Sequence, residues 1–590
     1  MINSKPSPSS YNLEPVISPR LVGRKLIFFA FILRVPVIGN FILNLLKKKN
    51  KVREIVEFAS GLSEFPLYYP IHEMSEEEKK EHETMIEKSP LVIADLASAQ
   101  KDMLQVSDDE AFFRHWTIHD YTRRYSDGDV TPTQVIDSLI DIVEQLNKRN
   151  PIIIAMNKKE LRMLAAASTE RYAKGQPTGV LDGVPIVIKD EVPTVGFPAR
   201  FGTSFISESV KEDEMPVANL LREGALLVGK TNQHEIGLGV TGSNVLYGPA
   251  RNPYNERYYT GGSSSGSAAA VAIGLVPVAL GTDGGGSIRI PAGLCGVVGL
   301  KPTFKRVAID CNLAPSLVHL GPIAGSVSDA ALAYSIMAGS APADFRHQSR
   351  KQPPVHLYNF TNPSNSLEGL RVGVFWAHIE DAEENIVKET KRAIAFFKSK
   401  GATVVDIELP HLHEVHRAHA VTILSEMVLN MDKYNQSDFQ GETQASLAFG
   451  GSFNAKEFLA AQKIRAYAMR QVEELFHNKV DIIVSPATAS IAPEIKADTL
   501  THGESNMEGT AYLMRYIIHG NMTGIPGIVF PVGYDVDTGL PISVQVQAAH
   551  WREDLLLRVA RVAEGLLPKG WSKPSTYIDV LGSVENTTST

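Results

Sequence analysis

Lys189 closes the apolar run Val184–Ile188 in "LDGVPIVIKDEV". Ser263 follows 74 residues later in "TGGSSSGS", and Ser287 a further 24 residues on in "GTDGGGSIR". These residue types suit acyl transfer. A serine hydroxyl becomes a nucleophile when a nearby base takes its proton. A lysine can be that base only when neutral, a state favoured by burial and by the absence of a carboxylate partner. Asp190 is the next residue, but along a strand its side chain points to the face opposite Lys189. No carboxylate is therefore expected at the ammonium. Gly284, Gly285 and Gly286 can turn backbone N–H groups, with that of Ser287, toward one point where an oxyanion would form. A plain tight turn is the alternative reading of three glycines.

Other readings of the Gly/Ser bursts fit less well. "GGSSSGS" has the composition of a linker, yet it leads straight into "AAAVAIGLVPVALG", a helix-to-strand run with no polar face. It lacks the Gly-Lys-Ser/Thr ending of a phosphate loop. Gly262–Gly266 does match G-x-S-x-G with Ser264 at its centre. A nucleophile elbow needs a buried strand just before it, however, and "RNPYNERYYT" is polar and turn-like. The 17 histidines show neither H-E-x-x-H nor Cys/His ligand spacing, so no metal and no cofactor is expected. Cys295, in "AGLCGVVG", reads as core. With Cys311 the only other cysteine, no disulfide framework is expected, and a reducing, intracellular setting is.

"LDGVPIVIKDE", "TGGSSSGSAAA", "GTDGGGSIRIPAGLCGVVGLKPT" and "GIPGIVFPVGYDVDTGLPISVQVQA" resemble the amidase signature family over about residues 110–570. The resemblance implies an α/β fold with a mixed central sheet covered by helices on both faces. It also implies a Ser–cis-Ser–Lys triad: Ser287 the nucleophile, Ser263 the bridging serine after a cis peptide, Lys189 the base. Two departures from the commonest pattern stand out. Ser265 replaces a Gly, and Gly284 replaces a larger residue. Both are similar to the plant-type fatty acid amide hydrolase branch, as are "FRHWTIHDYTRRY", "KTNQHEIGLGVTGSN" and the hydrophobic N-terminal stretch. That branch implies a long-chain fatty acid amide substrate such as an N-acylethanolamine, a membrane surface as partner, and a homodimer. It also suggests Leu238 and Val240 as acyl-channel residues, with core packing as the equal alternative; Met427, Met514 and Met522 are further candidates. A small-amide or glutamine amidohydrolase, or a non-catalytic membrane-associated lipid-binding protein, are the competing functions.

The elements that must position these residues are legible in outline. The 590 residues, 44% hydrophobic with a net charge of −8, are ample for a large core and give no electrostatic case for nucleic acid. From about residue 110 helical and strand patterns alternate, the mark of an α/β fold. "TPTQVIDSLIDIVEQLNKR" reads as a helix opened by Thr131 and Pro132. "DEMPVANLLREGA" reads as a helix ending at Gly224 before the strand "LLVGK". "VDIIVSP" reads as a strand, and "GIVFPVGYDVDTGLPISVQVQA" as two strands turning at Asp537–Gly539. Residues 1–109 read as an extension and 110–590 as the catalytic domain. Within the extension Pro36 splits Arg24–Lys51 into two short helices. Val37, Ile38, Phe41, Ile42, Leu45 and Leu46 share one face of the second, followed by Lys47, Lys48, Lys49 and Lys51. This pattern predicts an interfacial or cap helix, on the cytoplasmic side, with anionic headgroups favoured; Leu26–Leu46 spanning the bilayer, or packing within the fold or at a dimer contact, are the alternatives.

Overall fold

Val184–Ile188 is apolar at every position, the pattern of a strand covered on both faces. In the computed structural model it forms the fully buried strand Pro185–Lys189. The structure describes residues 11–89, 91, 93, 94, 96, 113–309, 313–339, 352–362, 364–567 and 570–588. Among these, one mixed sheet holds eleven strands. They are β1 Ile153–Ala155, β2 Pro185–Lys189, β3 Leu226–Thr231, β4 Val278–Asp283, β5 Val298–Lys301, β6 His319–Ala324, β7 Arg371–Val374, β8 Thr403–Asp406, β9 Ile482–Pro486, β10 Gly527–Tyr534 and β11 Pro541–Ala548. Their order across the sheet is β8-β7-β9-β11-β10-β5-β6-β4-β2-β3-β1. β2 lies between β3 and β4 and runs parallel to both, while β4 pairs antiparallel with β6. The two strands expected near the C-terminus are β10 and β11, an antiparallel pair.

Eight helices matter below: α1 Gly23–Leu33, α2 Pro36–Lys49, α3 Pro132–Leu146, α4 Ser265–Ala272, α5 Arg289–Leu294, α6 Leu412–Met431, α7 Gly441–Gly451 and α8 Ala455–Asn478. α3 starts where expected. Thr131 accepts from the N–H of Gln134, whose side chain bonds back, and Pro132 takes the first turn, where no N–H is needed. α4 shows why the first Gly/Ser burst is no linker: all eight of its residues are buried. A Cβ on Gly266 would stand 2.6 Å from both Asn232 N and Ile152 O, so only a glycine lets the helix come this close to the chain beside it.

The N-terminal segment breaks at Pro36, which disfavours helix at the residue before it. α1 and α2 meet at 105°, and no single helix among the described residues is long and apolar enough to cross a membrane. Leu26, Ala30 and Leu33 of α1 are buried; Ala30 and Leu33, together with Leu43 of α2, cluster with Ala445 of α7. On the other side Phe28, Phe31, Val37, Ile38, Phe41 and Leu45 are exposed, Val37 by 82% and Phe41 by 71%. Ile42 and Leu46, read from the sequence as part of that face, are only half-exposed. The basic run also needs correction. Lys47 is buried, its Nζ 2.7 Å from Glu457 of α8, because it falls on the α2 face that carries Leu43 and packs inward. Lys51 pairs with Glu14 at 2.7 Å, which leaves Lys48 and Lys49 exposed. The expected boundary at 109/110 lies outside the described residues.

Candidate active site

Parallel pairing of β2 with β4 brings their C-terminal ends side by side, and the chain leading into α4 crosses the same end. Lys189 closes β2. Its Nζ donates to Ser263 Oγ at 2.6 Å, Thr282 Oγ1 at 2.8 Å and Glu191 Oε1 at 3.1 Å. All four side chains are buried. The Thr282 hydroxyl also donates to Glu191 Oε1. The other carboxylate oxygen, Oε2, is buried without a hydrogen-bond partner among the described residues. The expectation of a lysine without a carboxylate partner is thus overturned. Asp190 does turn away, its carboxylate accepting from Gly202 N at 2.8 Å. β2 ends at Lys189, and the turn after it, closed by Val192 N donating to Lys189 O at 3.1 Å, carries Glu191 back to the lysine's side.

The Gly262–Ser263 peptide is cis. Ser263 O accepts from His234 N at 3.1 Å, and Ser264 N donates to Ser287 O at 3.2 Å, lacing the two serine-bearing segments together. Ser264 Oγ is fully buried and donates to Thr282 O at 3.3 Å, so it faces strand backbone and does not present an exposed hydroxyl as an elbow nucleophile must.

Ser287 lies in the loop between β4 and α5. Asp283 organises that loop: its carboxylate accepts from Gly286 N at 2.7 Å, Ile288 N at 3.2 Å, Arg289 Nε at 2.9 Å and Asn521 Nδ2 at 2.9 Å. Despite full burial, the Arg289 guanidinium and these donors hold the Asp283 carboxyl far below the usual carboxylate range. Gly286 therefore departs from its expected part. Its N–H is spent on Asp283, and Gly284, Gly285 and Ser287 remain as candidate oxyanion donors. Gly286 has φ +108°, and a Cβ there would lie 2.6 Å from Ile290 Cδ1, so the position admits only glycine. Gly284 O accepts from His419 Nε2 of α6 at 2.8 Å. Burial pushes that imidazole down to about 4, which keeps it neutral.

Apolar side chains and His419 close around the loop. A Cβ on Gly284 would lie 3.2 Å from Val318 and 3.5 Å from Ile423, and one on Gly285 would lie 2.7 Å from Met514 Cε. Met514 is thus at the loop, whereas Met427 and Met522 are buried in the main core. Val240 is buried with Ile290, Leu513 and Ile517, against Met514, while Leu238 is half-buried against the main core. The segment carrying both is held by α7's start, where Gln440 N donates to Glu235 Oε2 at 2.8 Å. Cys295 is buried, its thiol pushed up by desolvation; Cys311 lies outside the described residues. No cluster that could hold a metal occurs among the described residues.

Four groups in this arrangement were not found from the sequence: Glu191, Thr282, His419 and Asn521. Glu191 lies in the turn past the end of β2, where strand alternation gives no signal. Thr282 sits inside a quoted motif without a distinguishing mark. His419 and Asn521 arrive from distant segments and had none.

Residues 134–557 match the Amidase family. Fatty acid amide hydrolase from Medicago truncatula is 38% identical over 98% of this chain and 97% of its own. Fatty acid amide hydrolase from Arabidopsis thaliana is 36% identical over 97% of each chain. A crystal structure of an amidase superposes with a TM-score of 0.67 at 28% identity, covering 76% of this chain and 99% of that one.

Proposed function

From the premise that this chain belongs to the amidase signature family and is an amide-cleaving hydrolase, we propose that it hydrolyses long-chain fatty acid amides such as N-acylethanolamines through an acyl-enzyme on Ser287. The observation that carries the reading is the 2.6 Å contact between Lys189 Nζ and Ser263 Oγ beside the glycine loop that ends in Ser287. With Lys189 neutral, Ser263 Oγ–H passes its proton to Nζ and takes the proton of Ser287 Oγ. Ser263 suits this relay because a hydroxyl donates and accepts at once. Ser287 Oγ bonds to the amide carbon, and the carbonyl oxygen gains negative charge against the N–H groups of Gly284, Gly285 and Ser287. The same relay run backwards protonates the amine as the C–N bond breaks, and a water then releases the fatty acid.

The apolar wall of Val318, Ile423, Met514 and Ile517 supports an aliphatic acyl chain. The exposed apolar face of α1 and α2 supports an interfacial role: a membrane-dissolved amide would be taken up at a hydrophobic surface. Lys48 and Lys49 supply what attraction to anionic headgroups the second helix offers, on the cytoplasmic side. The division into an N-terminal membrane-facing extension and a catalytic domain belongs to the same proposal. So does the homodimer, which rests on family resemblance and is tested by sedimentation of the purified protein.

A fluorophosphonate probe, with the adduct mapped by mass spectrometry, tests the catalytic assignment. Label is expected on Ser287, lost in Ser287→Ala and retained in Ser264→Ala. An adduct on Ser264 overturns it. A panel of long-chain, short-chain and aryl amides tests the substrate class, and preference for a short polar amide overturns the fatty acid amide reading.

A further inference from the structure

An ammonium has three hydrogens and no lone pair. Around Lys189 Nζ the structure places three acceptors, Ser263 Oγ at 2.6 Å, Thr282 Oγ1 at 2.8 Å and Glu191 Oε1 at 3.1 Å. That set accommodates every hydrogen of the charged form. In it Ser263 accepts from Nζ, the reverse of what the relay above requires, so no proton can flow from Ser287 toward the lysine until Nζ has lost one of its own.

Glu191 is the group that favours the charged form. The other charges nearby are engaged elsewhere. On the same segment Asp190 accepts from Gly202 N. From β3, Lys230 donates to Val192 O and Thr194 Oγ1. From β4, Asp283 is held by Arg289. From the segment above, His234 faces Glu442 at 3.3 Å, and Glu235 accepts from Gln440 N. Glu191 is fixed against Nζ: its own N–H donates to Gln233 Oε1 at 3.1 Å, and its Oε1 also takes the Thr282 hydroxyl. Its bare Oε2 lies beside Gly237, where a Cβ would come within 3.0 Å of Oε2 and 3.4 Å of Ser263 Oγ.

We propose that Glu191 is a positioning residue that holds Lys189 as the ammonium in the resting enzyme and so sets the pH at which acylation begins. This rests on the Ser287–Ser263–Lys189 reading above. The activating step is loss of one N–H proton from Nζ to solvent base. The nitrogen lone pair so freed accepts the Ser263 proton, Ser263 Oγ accepts the Ser287 proton, and the Ser287 Oγ–C bond forms.

The rate of fluorophosphonate labelling against pH tests it, in the wild type and in Glu191→Gln, Glu191→Asn and Glu191→Asp. Without the anion, Nζ is neutral at lower pH, so the acid limb of the profile in either neutral variant is expected to move by about one unit or more toward acid. Labelling on that limb then rises about tenfold over wild type at the same pH. Glu191→Asp keeps the charge and is expected to keep the limb near its wild-type position. A residue with a merely structural role would lower the rate alike at every pH, so an unmoved limb, or one moved toward alkali, in whichever neutral variant folds overturns the proposal. Ser287→Ala is run alongside. Label surviving in it defeats the triad reading itself, whereas label lost with an unmoved limb defeats only the role of Glu191.

Discussion

Lys189 Nζ and Ser263 Oγ are within proton-transfer reach, and both are shielded from solvent. Removing the lysine has two separable consequences. With Lys189 as the proposed general base, its loss costs about 10²–10⁴-fold in the acylation rate. Loss of the cation also strands Glu191 as a buried charge without its partner, which costs about 3–5 kcal/mol of stability. Lys189→Ala is therefore expected to lower both the acylation rate and the melting temperature. Lys189→Ala combined with Glu191→Gln is expected to recover most of the melting temperature and none of the rate. Recovery of the rate would remove Lys189 from the chemistry. The meeting of Lys189 with Ser263 was legible because each sits in a long, specific motif. The carboxylate was not legible, because strand alternation ends with β2 at Lys189 and the turn that brings Glu191 back to Nζ has no mark in the local pattern.

At the scale of elements, the loop bearing Ser287 is held from two sides, by Asp283 within and by His419 of α6. α6 brings His413, His416 and His419 along one face, and His378 and His519 face them from other segments. Burial pushes His419 and His519 down to about 4 and His378 to about 3. In the unfolded chain these groups titrate near ~6.5. Between the two values the unfolded state binds the more protons, so stability is full above ~6.5 and falls as pH drops toward 4. A melting series over that range should show the fall, and His519→Asn should flatten it; an equally steep series in that variant would remove His519 from the account. Below ~4 the depressed Asp283 carboxyl adds a further loss, since its contribution disappears on protonation. His419 has a second task at Gly284 O. His419→Leu removes that donor and is expected to slow acylation about tenfold or more through a loosened oxyanion loop, while His419→Gln, which can still donate, should retain most of the rate. The strands and α3 were readable from periodicity and capping. The histidine contact was not, because 135 residues separate the pair and no local pattern joins them.

At the scale of the whole molecule, α1 and α2 have one packed face and one exposed face. The inward face carries Leu26, Ala30, Leu33 and Leu43 against α7, together with the buried Lys47–Glu457 pair. The outward face carries Phe28, Phe31, Val37 and Phe41. Helical periodicity in the sequence shows the apolar residues of α2 but does not say which meet protein, so it places Lys47 in the exposed basic run although the side chain packs inward. This changes how membrane association should be tested. Deleting residues 1–50 would uncover α7 and strand Glu457, so it would lower activity on every substrate whether or not a membrane is involved. Substituting the outward face leaves the packing intact. Phe28→Ser, Phe31→Ser and Phe41→Ser together are expected to weaken liposome binding and raise the KM for long acyl amides, with the melting temperature and the hydrolysis of a short soluble amide little changed. Each exposed aromatic ring that enters the interface contributes on the order of 1.5–3 kcal/mol if fully withdrawn from water, so the loss of three should reduce partitioning by well over tenfold. Equal loss on long and short amides would mean that the face serves the fold or a dimer contact. Unchanged liposome binding would take the membrane contact away from this face.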